Sequence, residues 1–399
     1  MSENINHNKP NDFKINEIDI DLVYTWVDGS DSEWLESKKK YMTIEKKDKK
    51  KSKNSITSNR YRNLDELKYS LRTVVNFLPF IRKIYIVTNG QRPSWLKLDD
   101  KIELITHEQI FPKPPTCGGE IIKDFYLPTF NSIAIEANLH RIPGLSEYFI
   151  YLNDDVFIGQ PMKREHFLDE KGRTKVYLRE GKFVPKREKF KLTDYYFRDG
   201  LYHTHKYLNK YSIKRIKRMT HQHVGIMLRK SVLQNIEEQL KSTDNWLSSL
   251  TRFRQNQNIM LISLFYQYYS LDNDFAINDN EVSCYRVSDE HEVVLGQILK
   301  KKYHMFCLNT LKENTPELMK FYNILVPNPS PYEIVTNPEI TANVDNINNI
   351  DNNINNINNN IDNNIDNINN IDNNVDNIDN VEKNVDKNLS QAKDEFRIQ

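Results

Sequence analysis

The chain has 399 residues, 38% of them hydrophobic, with 56 Lys/Arg against 55 Asp/Glu and a formal net charge of +1. That length points to two or three domains with a real core, and the absence of any run of about 18 apolar residues excludes a membrane-spanning helix. The neutrality is a cancellation: from Thr341 onward there are 4 Lys/Arg and 11 Asp/Glu, which leaves 52 against 44 before it, so a basic body suited to anionic ligands precedes an acidic tail.

Residues 1–14 are polar, without the apolar stretch of a signal peptide, and read as disordered. Residues 18–27, IDIDLVYTWV, form a strand candidate whose continuous apolar half suits a central position. It ends at Asp28-Gly29-Ser30-Asp31. There a nucleotide would stack on Trp26 and hydrogen-bond Asp28, or Trp26 is simply core. Residues 38–53 hold nine lysines and little to bury, which predicts a mobile loop over about 36–58.

A helix is predicted from Asn63, whose spacing to Glu66 resembles a capping box. Leu64, Leu67, Leu71, Val74 and Phe77 make one buried face, with Arg72 at its edge. Strands follow at 83–88, ending in Thr88 and Asn89, and at 102–106; residues 112–125 read as a loop. This strand-helix-strand order predicts an α/β fold with a Rossmann-like sheet.

Residues 127–159 organise the rest. A helix-like segment places Ile133, Ile135 and Leu139 among polar Ser132, Glu136 and His140, and Pro143-Gly144 stops it. The run Tyr148-Phe149-Ile150-Tyr151-Leu152 reads as a buried strand, followed directly by Asn153-Asp154-Asp155. Carboxylates just past the carboxyl end of a strand are suited to Mg²⁺ or Mn²⁺ holding a diphosphate; the same three residues would equally make a plain turn. Beyond them, residues 163–191 suggest a hairpin or an excursion on the acceptor side. Residues 206–218 suggest a basic solvated helix face, and residues 231–240 and 258–269 suggest helices, the second buried.

From Val344 to Val385, Ile or Val returns every three or four residues amid Asn and Asp. The spacing is that of a coiled-coil seam, while Asn and Asp are poor helix formers, so the tail at 336–399 reads either as a self-associating coiled coil or as a disordered repeat. Cys117, Cys284 and Cys307 fit neither a zinc spacing nor a disulfide framework and favour a reducing compartment.

Four stretches carry a family resemblance. They are IDLVYTWVDGSD at 20–31; ELKYSLR, IYIVTNGQRPSWL, LPTFNSIAIE and HRIPGLSEYFIYLNDDVFIG within 59–159; His221 with Phe253-Arg254; and HMFCLNTLKEN with PNPSPYE, closing at Glu333. Together they resemble the Stealth family of sugar-1-phosphate transferases, which includes bacterial capsular polysaccharide phosphotransferases. Asn258 stands where the family has an acid, and Asn309 is followed by Thr310 rather than Asp.

The resemblance implies a glycosyltransferase-A-like catalytic domain over about 15–335 with helical additions. It implies transfer of a sugar-1-phosphate, such as N-acetylhexosamine-1-phosphate, from a UDP-sugar to a glycan or glycoprotein hydroxyl with release of UMP. In this reading His221 is the general base, Arg72 and Arg254 clamp phosphate, and Asp154 and Asp155 hold Mg²⁺ or Mn²⁺. Ser132, Glu136 and Asn309 contact the sugar side, and Trp26, Asp28, Thr88 and Asn89 hold the nucleotide. No nucleic acid is expected as a partner, and the expected location is cytoplasmic or peripheral to a membrane. An ordinary glycosyltransferase, which would release UDP, and a non-catalytic glycan-binding scaffold are the alternatives.

Overall fold

Six consecutive buried residues, Ile20–Thr25, form the first strand, β1. In the computed structural model of the protein, the residues described are 13–44, 61, 63–114, 116–117, 120–121, 125–184, 196–211, 216–241, 243, 250–255, 258–287, 292–308 and 315–334. The chain divides after Ile334 into two units, and the second, which contains the whole repetitive tail, lies outside the described residues. The coiled-coil and disorder readings of the tail, and Asn309 with Thr310, therefore fall outside them too.

Strand β1 is followed by helices α1 (Ser32–Ile44) and α2 (Glu66–Phe77), then β2 (Ile81–Thr88) and β3 (Ile102–Thr106). Next come the short helix α3 (Ser132–Glu136) and β4 (Tyr148–Asn153). The sheet order is β3-β2-β1-β4, all parallel, and β9 (Ile226–Arg229) closes the far edge antiparallel to β4. Parallel strands need crossovers, and the crossovers place apolar side chains on both faces of the sheet. Alternate residues of β1 obey this: Leu22 and Tyr24 pack with Leu67, Leu71 and Val74 of α2, while Val23 faces Ile133 and Ala134 of α3. Burying each of those three α2 side chains contributes about 2 kcal/mol. Asp21 sits fully buried in β1 because Arg82 binds its carboxylate at 2.7 and 3.0 Å and the Ser146 backbone N–H donates at 2.7 Å.

The strand order reverses between β1 and β4, and in an open parallel sheet the crevice at that reversal is where ligands bind. Asn153-Asp154-Asp155 lies there, since Thr25 pairs with Asn153 across the two strand ends. After the turn comes β5 (Val156–Ile158), and later a set of short strands: β6 (Thr174–Val176), β7 (Leu178–Phe183), β8 (Met219–His221), β10 (Ala276–Asn278), β11 (Cys284–Arg286) and β12 (Met305–Cys307). They pair as β6 with β10, β7 with β8, and β11-β12-β5. Between them lie helices α4 (Tyr196–Tyr211), α5 (Lys230–Leu240), α6 (Tyr266–Asp272) with a π turn before it, and α7 (Glu292–Lys301); α8 (Pro316–Leu325) follows β12.

Several local expectations are corrected. Helix α2 starts at Glu66, and Asn63 accepts from the Asp65 N–H instead of capping, while Glu66 accepts from the Leu64 N–H at 2.6 Å. The lysine-rich loop is helical through Ile44, and Lys38 is buried with its ammonium 3.9 Å over the Tyr61 ring and 5.0 Å from that of Trp34. Strands β6 and β7 pair with distant strands rather than with each other, and the hairpin expected in 163–191 is a small one, with Leu168 bridging Thr174 antiparallel and the Lys175 N–H donating to the Phe167 carbonyl at 2.8 Å. Arg218 is buried, not solvated, and donates to Asn209 Oδ1 at 2.6 Å.

Candidate active site

Three chain crossings meet at the turn after β4. Ile226 pairs with Tyr151, which brings the segment 221–225 alongside the end of β4. Gly225 permits this approach: a Cβ there would lie 2.6 Å from Leu152 Cδ2. Cys307 pairs with Val156 and with Arg286, and the Leu308 N–H donates to the Asp155 carbonyl at 2.9 Å, so β12 and β11 flank the acidic turn from the other side. His221 pairs with Leu178, which sets Arg179 beside it. The segment 250–255 is clipped to 128–132 by the Phe130 N–H donating to the Arg252 carbonyl at 2.8 Å, by Asn131 Nδ2 donating to the Thr251 carbonyl at 2.8 Å, and by the Phe130–Phe253 stack at 5.1 Å. That clip delivers Arg254, whose Nη2 donates to Ser132 Oγ at 2.7 Å.

The result is a cavity of about 560 Å³ lined by both carboxylates of the turn, His221, Arg254, Ser132 and Glu136. These positions, up to 122 residues apart in the chain, were expected to meet, and they share one wall system. His221 Nδ1 is bonded to the Gln222 carbonyl, so that nitrogen carries the proton and Nε2 keeps its lone pair; Nε2 is buried and has no hydrogen-bond partner. Burial pushes this imidazole down to about 4, so it is neutral near pH 7. Burial pushes Glu136 up to about 7 against the opposing pull of Arg254 and the Tyr151 hydroxyl, and it pushes Glu66 up to about 7 as well. Asp154 is raised well above its ordinary range by burial and then by the charges of Asp155 and Glu66. Three acids facing one another in a half-dry crevice make a field that a cation relieves.

Asp155 Oδ1 is buried without a hydrogen bond, as a carboxylate waiting for a cation would be. The donor atoms within 4.8 Å of one another belong to Asp155, His223 and Cys307. Asp154 lines the cavity beside them but is not in that group. The cavity also contains Glu66, Arg179, Arg286 and His223, which sequence reasoning did not assign. For His223 the histidine two residues earlier on an extended segment was the available signal; Arg179 and Arg286 are brought in by the pairing of short strands and left no local trace.

Other expected residues fall elsewhere. Arg72 is 4% exposed and absent from the cavity wall; its Nε and Nη2 bind the two oxygens of buried Glu333 at 2.8 and 2.6 Å, and Nη1 donates to the Val326 carbonyl. The phosphate clamp expected of it is thereby corrected to a buried tie between α2 and the segment after α8. Trp26 packs into the core with Leu67 and Leu96, leaving no face for a base. Thr88 is buried and its Oγ1 accepts from the Gly90 N–H, which shapes the Asn89-Gly90 turn. Asp28 and Asn89 follow the carboxyl ends of β1 and β2 and lie outside the cavity wall; one Asp28 oxygen binds Ser30, and Asn89 Oδ1 is buried without a partner. Asn258, at the position of the family acid, is buried and also outside the wall: its Oδ1 accepts from the Gln255 N–H at 2.7 Å and its Nδ2 donates to Thr251 Oγ1 at 3.2 Å.

No helix among the described residues is long and apolar enough to cross a membrane. Residues 19–46 match conserved region 1 of Stealth proteins and residues 60–176 match conserved region 2. Capsular polysaccharide phosphotransferase fcs1 of Haemophilus influenzae is 32% identical over 329 residues, covering 77% of this chain and 83% of that protein. An exopolysaccharide phosphotransferase of Streptomyces coelicolor is 33% identical over 327 residues, covering 79% of this chain and 51% of its own, so the chain spans about half the length of that relative. A solved structure of an active-site mutant of LgtC aligns over 80% of this chain and 98% of its own at 9% identity, with a TM-score of 0.41. On the two matched regions and the extent of the Haemophilus alignment, the chain belongs to the Stealth family.

Proposed function

We propose that the chain moves a sugar-1-phosphate, of the N-acetylhexosamine class, from a UDP-sugar to a glycan hydroxyl and releases UMP. The observation that carries this reading is the convergence of Asp155, His221 and Arg254 on one cavity that also presents Arg179 and Arg286. Such a wall suits a diphosphate: guanidinium groups take phosphate oxygens two at a time, and a carboxylate with a free oxygen suits a bridging cation. The capsular and exopolysaccharide phosphotransferase relatives point to the same class of reaction.

His221 Nε2 accepts the proton of the acceptor hydroxyl as its oxygen attacks the phosphorus that bears the sugar. The new O–P bond forms while the bond from that phosphorus to the bridging oxygen breaks, and UMP departs with the electron pair. Arg254, Arg179 and Arg286 neutralise the charge that gathers on the phosphoryl oxygens, an effect of about 3 kcal/mol for a well-placed donor. Ser132 holds the Arg254 fork in place, and Glu136, protonated below about pH 7, donates to or accepts from the sugar hydroxyls. The donors around Asp155 fit a divalent cation, which when bound supplies further neutralisation of the diphosphate. Asp28 and Asn89 hold the nucleotide from the neighbouring strand ends.

The test is incubation of the purified chain with a panel of UDP-sugars, divalent cations and glycan acceptors, with mass analysis of the nucleotide. UMP is expected, and His221→Ala is expected to cut kcat by about a hundredfold to ten-thousandfold with little change in donor KM. UDP as the product would make it an ordinary glycosyltransferase. No nucleotide above background from any donor would leave a glycan-binding scaffold.

A further inference from the structure

Asp155, His223 and Cys307 arrive from three separate parts of the fold: the turn after β4, the segment leading into β9, and the end of β12. Two independent strand pairings fix their meeting, Ile226 with Tyr151 and Cys307 with Val156. The cluster offers one oxygen, one nitrogen and one sulfur atom, all within 4.8 Å of one another, and the Asp155 oxygen that is buried makes no hydrogen bond. An all-oxygen ion such as Mg²⁺ has no use for a thiol; thiolate and imidazole together select borderline ions of the zinc type. Asp155 and His223 line the cavity while Cys307 lies buried behind them, so three protein ligands leave a fourth position open, which is the arrangement of reactive rather than purely structural zinc sites.

We propose that Asp155, His223 and Cys307 form an open three-ligand site for a thiolate-binding divalent cation of the zinc class, facing the cavity to which the transfer reaction is assigned. The placement of the site in the reaction rests on that assignment, whereas the binding itself does not. Sequence spacing conceals the site because each of its three ligands comes from a different region of the chain.

The test reads binding alone. The full chain, stripped of metal with a chelator, is titrated with Co²⁺ and followed for sulfur-to-cobalt charge-transfer absorption in the near ultraviolet. One equivalent is expected to develop the band, Zn²⁺ to displace it, and Mg²⁺ in large excess to leave it. Cys307→Ser is expected to abolish the band, while Cys284→Ser and Cys117→Ser keep it. His223→Ala, a less buried position that guards against a folding artefact at Cys307, is expected to weaken Co²⁺ affinity tenfold or more, the loss usual even for outer partners of a metal ligand. Absence of the band, its survival in Cys307→Ser, or its removal by Mg²⁺ would overturn the proposal. A chain that shows the band yet releases no UMP with any metal would overturn the transfer reaction and leave the metal site standing.

Discussion

At the scale of single residues, the site separates charges that hold the fold from charges that face the cavity. Arg72 was legible as important but not in its role, because its fork partner Glu333 lies 261 positions away in the chain's closing motif. Both belong to stretches that carry the family resemblance, and the bidentate pair joins those two stretches in the fold. Arg72→Ala leaves the buried Glu333 carboxylate with only the Ser330 N–H and the Lys68 ammonium at 3.8 Å, so a loss of about 3 kcal/mol in denaturant unfolding is expected, with donor KM unchanged in whatever protein folds. Arg286→Ala, at an exposed position, is expected to leave stability within about 0.5 kcal/mol and to lower kcat/KM by about a hundredfold. Equal effects on stability from both would remove the distinction. Glu136 gives a second test: raised from an ordinary 4.5 to about 7, it contributes stability that is fully present below its unfolded value and is lost as pH rises through 7. His221, lowered from 6.5 to about 4, works in the opposite sense, losing its contribution as pH falls through 4. Glu136→Gln should therefore raise Tm at about pH 8 and have little effect at about pH 5, and thermal melts that show the same shift at both would refute the burial argument.

Among the elements, legibility followed periodicity. Strand β3 was read with its bounds intact, β4 to within one residue and α5 likewise, because a buried strand or an apolar helical stripe leaves a pattern in its own neighbourhood. The three-residue strands β8, β11 and β12 carry no such pattern, and through their pairings with β7, with each other and with β5 they set His221, Arg286 and Cys307 around the acidic turn. The same holds for the segment 250–255, whose anchoring on 128–132 is a matter of backbone bonds between distant stretches. Asn258 belongs to that anchoring. Its amide gives one donor and one acceptor to the turn, and the Thr251 hydroxyl that receives the donor is already spending its own proton on the Phe253 carbonyl at 2.9 Å. Asn258→Asp would set a carboxylate oxygen against that hydroxyl oxygen. A loss of about 1 kcal/mol in stability is expected, with no gain in turnover. A variant that is as stable and several times faster would show that the acid of the family motif acts in catalysis here.

For the whole molecule, every described residue of the site lies before Ile334, in the first of the two units. The second unit, from Val335 to Gln399, bears 12 Asp/Glu against 4 Lys/Arg, and without it the remaining chain is distinctly basic. A UDP-sugar is a diphosphate anion, and net charge acts on the approach of such a ligand through a field that salt screens within about 10 Å at 0.1 M and about 3 Å at 1 M. A chain ended after Ile334 should therefore keep its kcat for UMP release, because every described residue of the cavity wall is retained. Its donor KM should fall at low ionic strength, because the repelling charge is gone, and the advantage should shrink steadily as salt is added. Light scattering on the same two proteins separates this from self-association: a difference in KM that tracks salt with no change in mass is the field of the tail. A KM or kcat difference that survives about 1 M salt means instead that the repeat contributes contacts or assembly, and the purely electrostatic account fails.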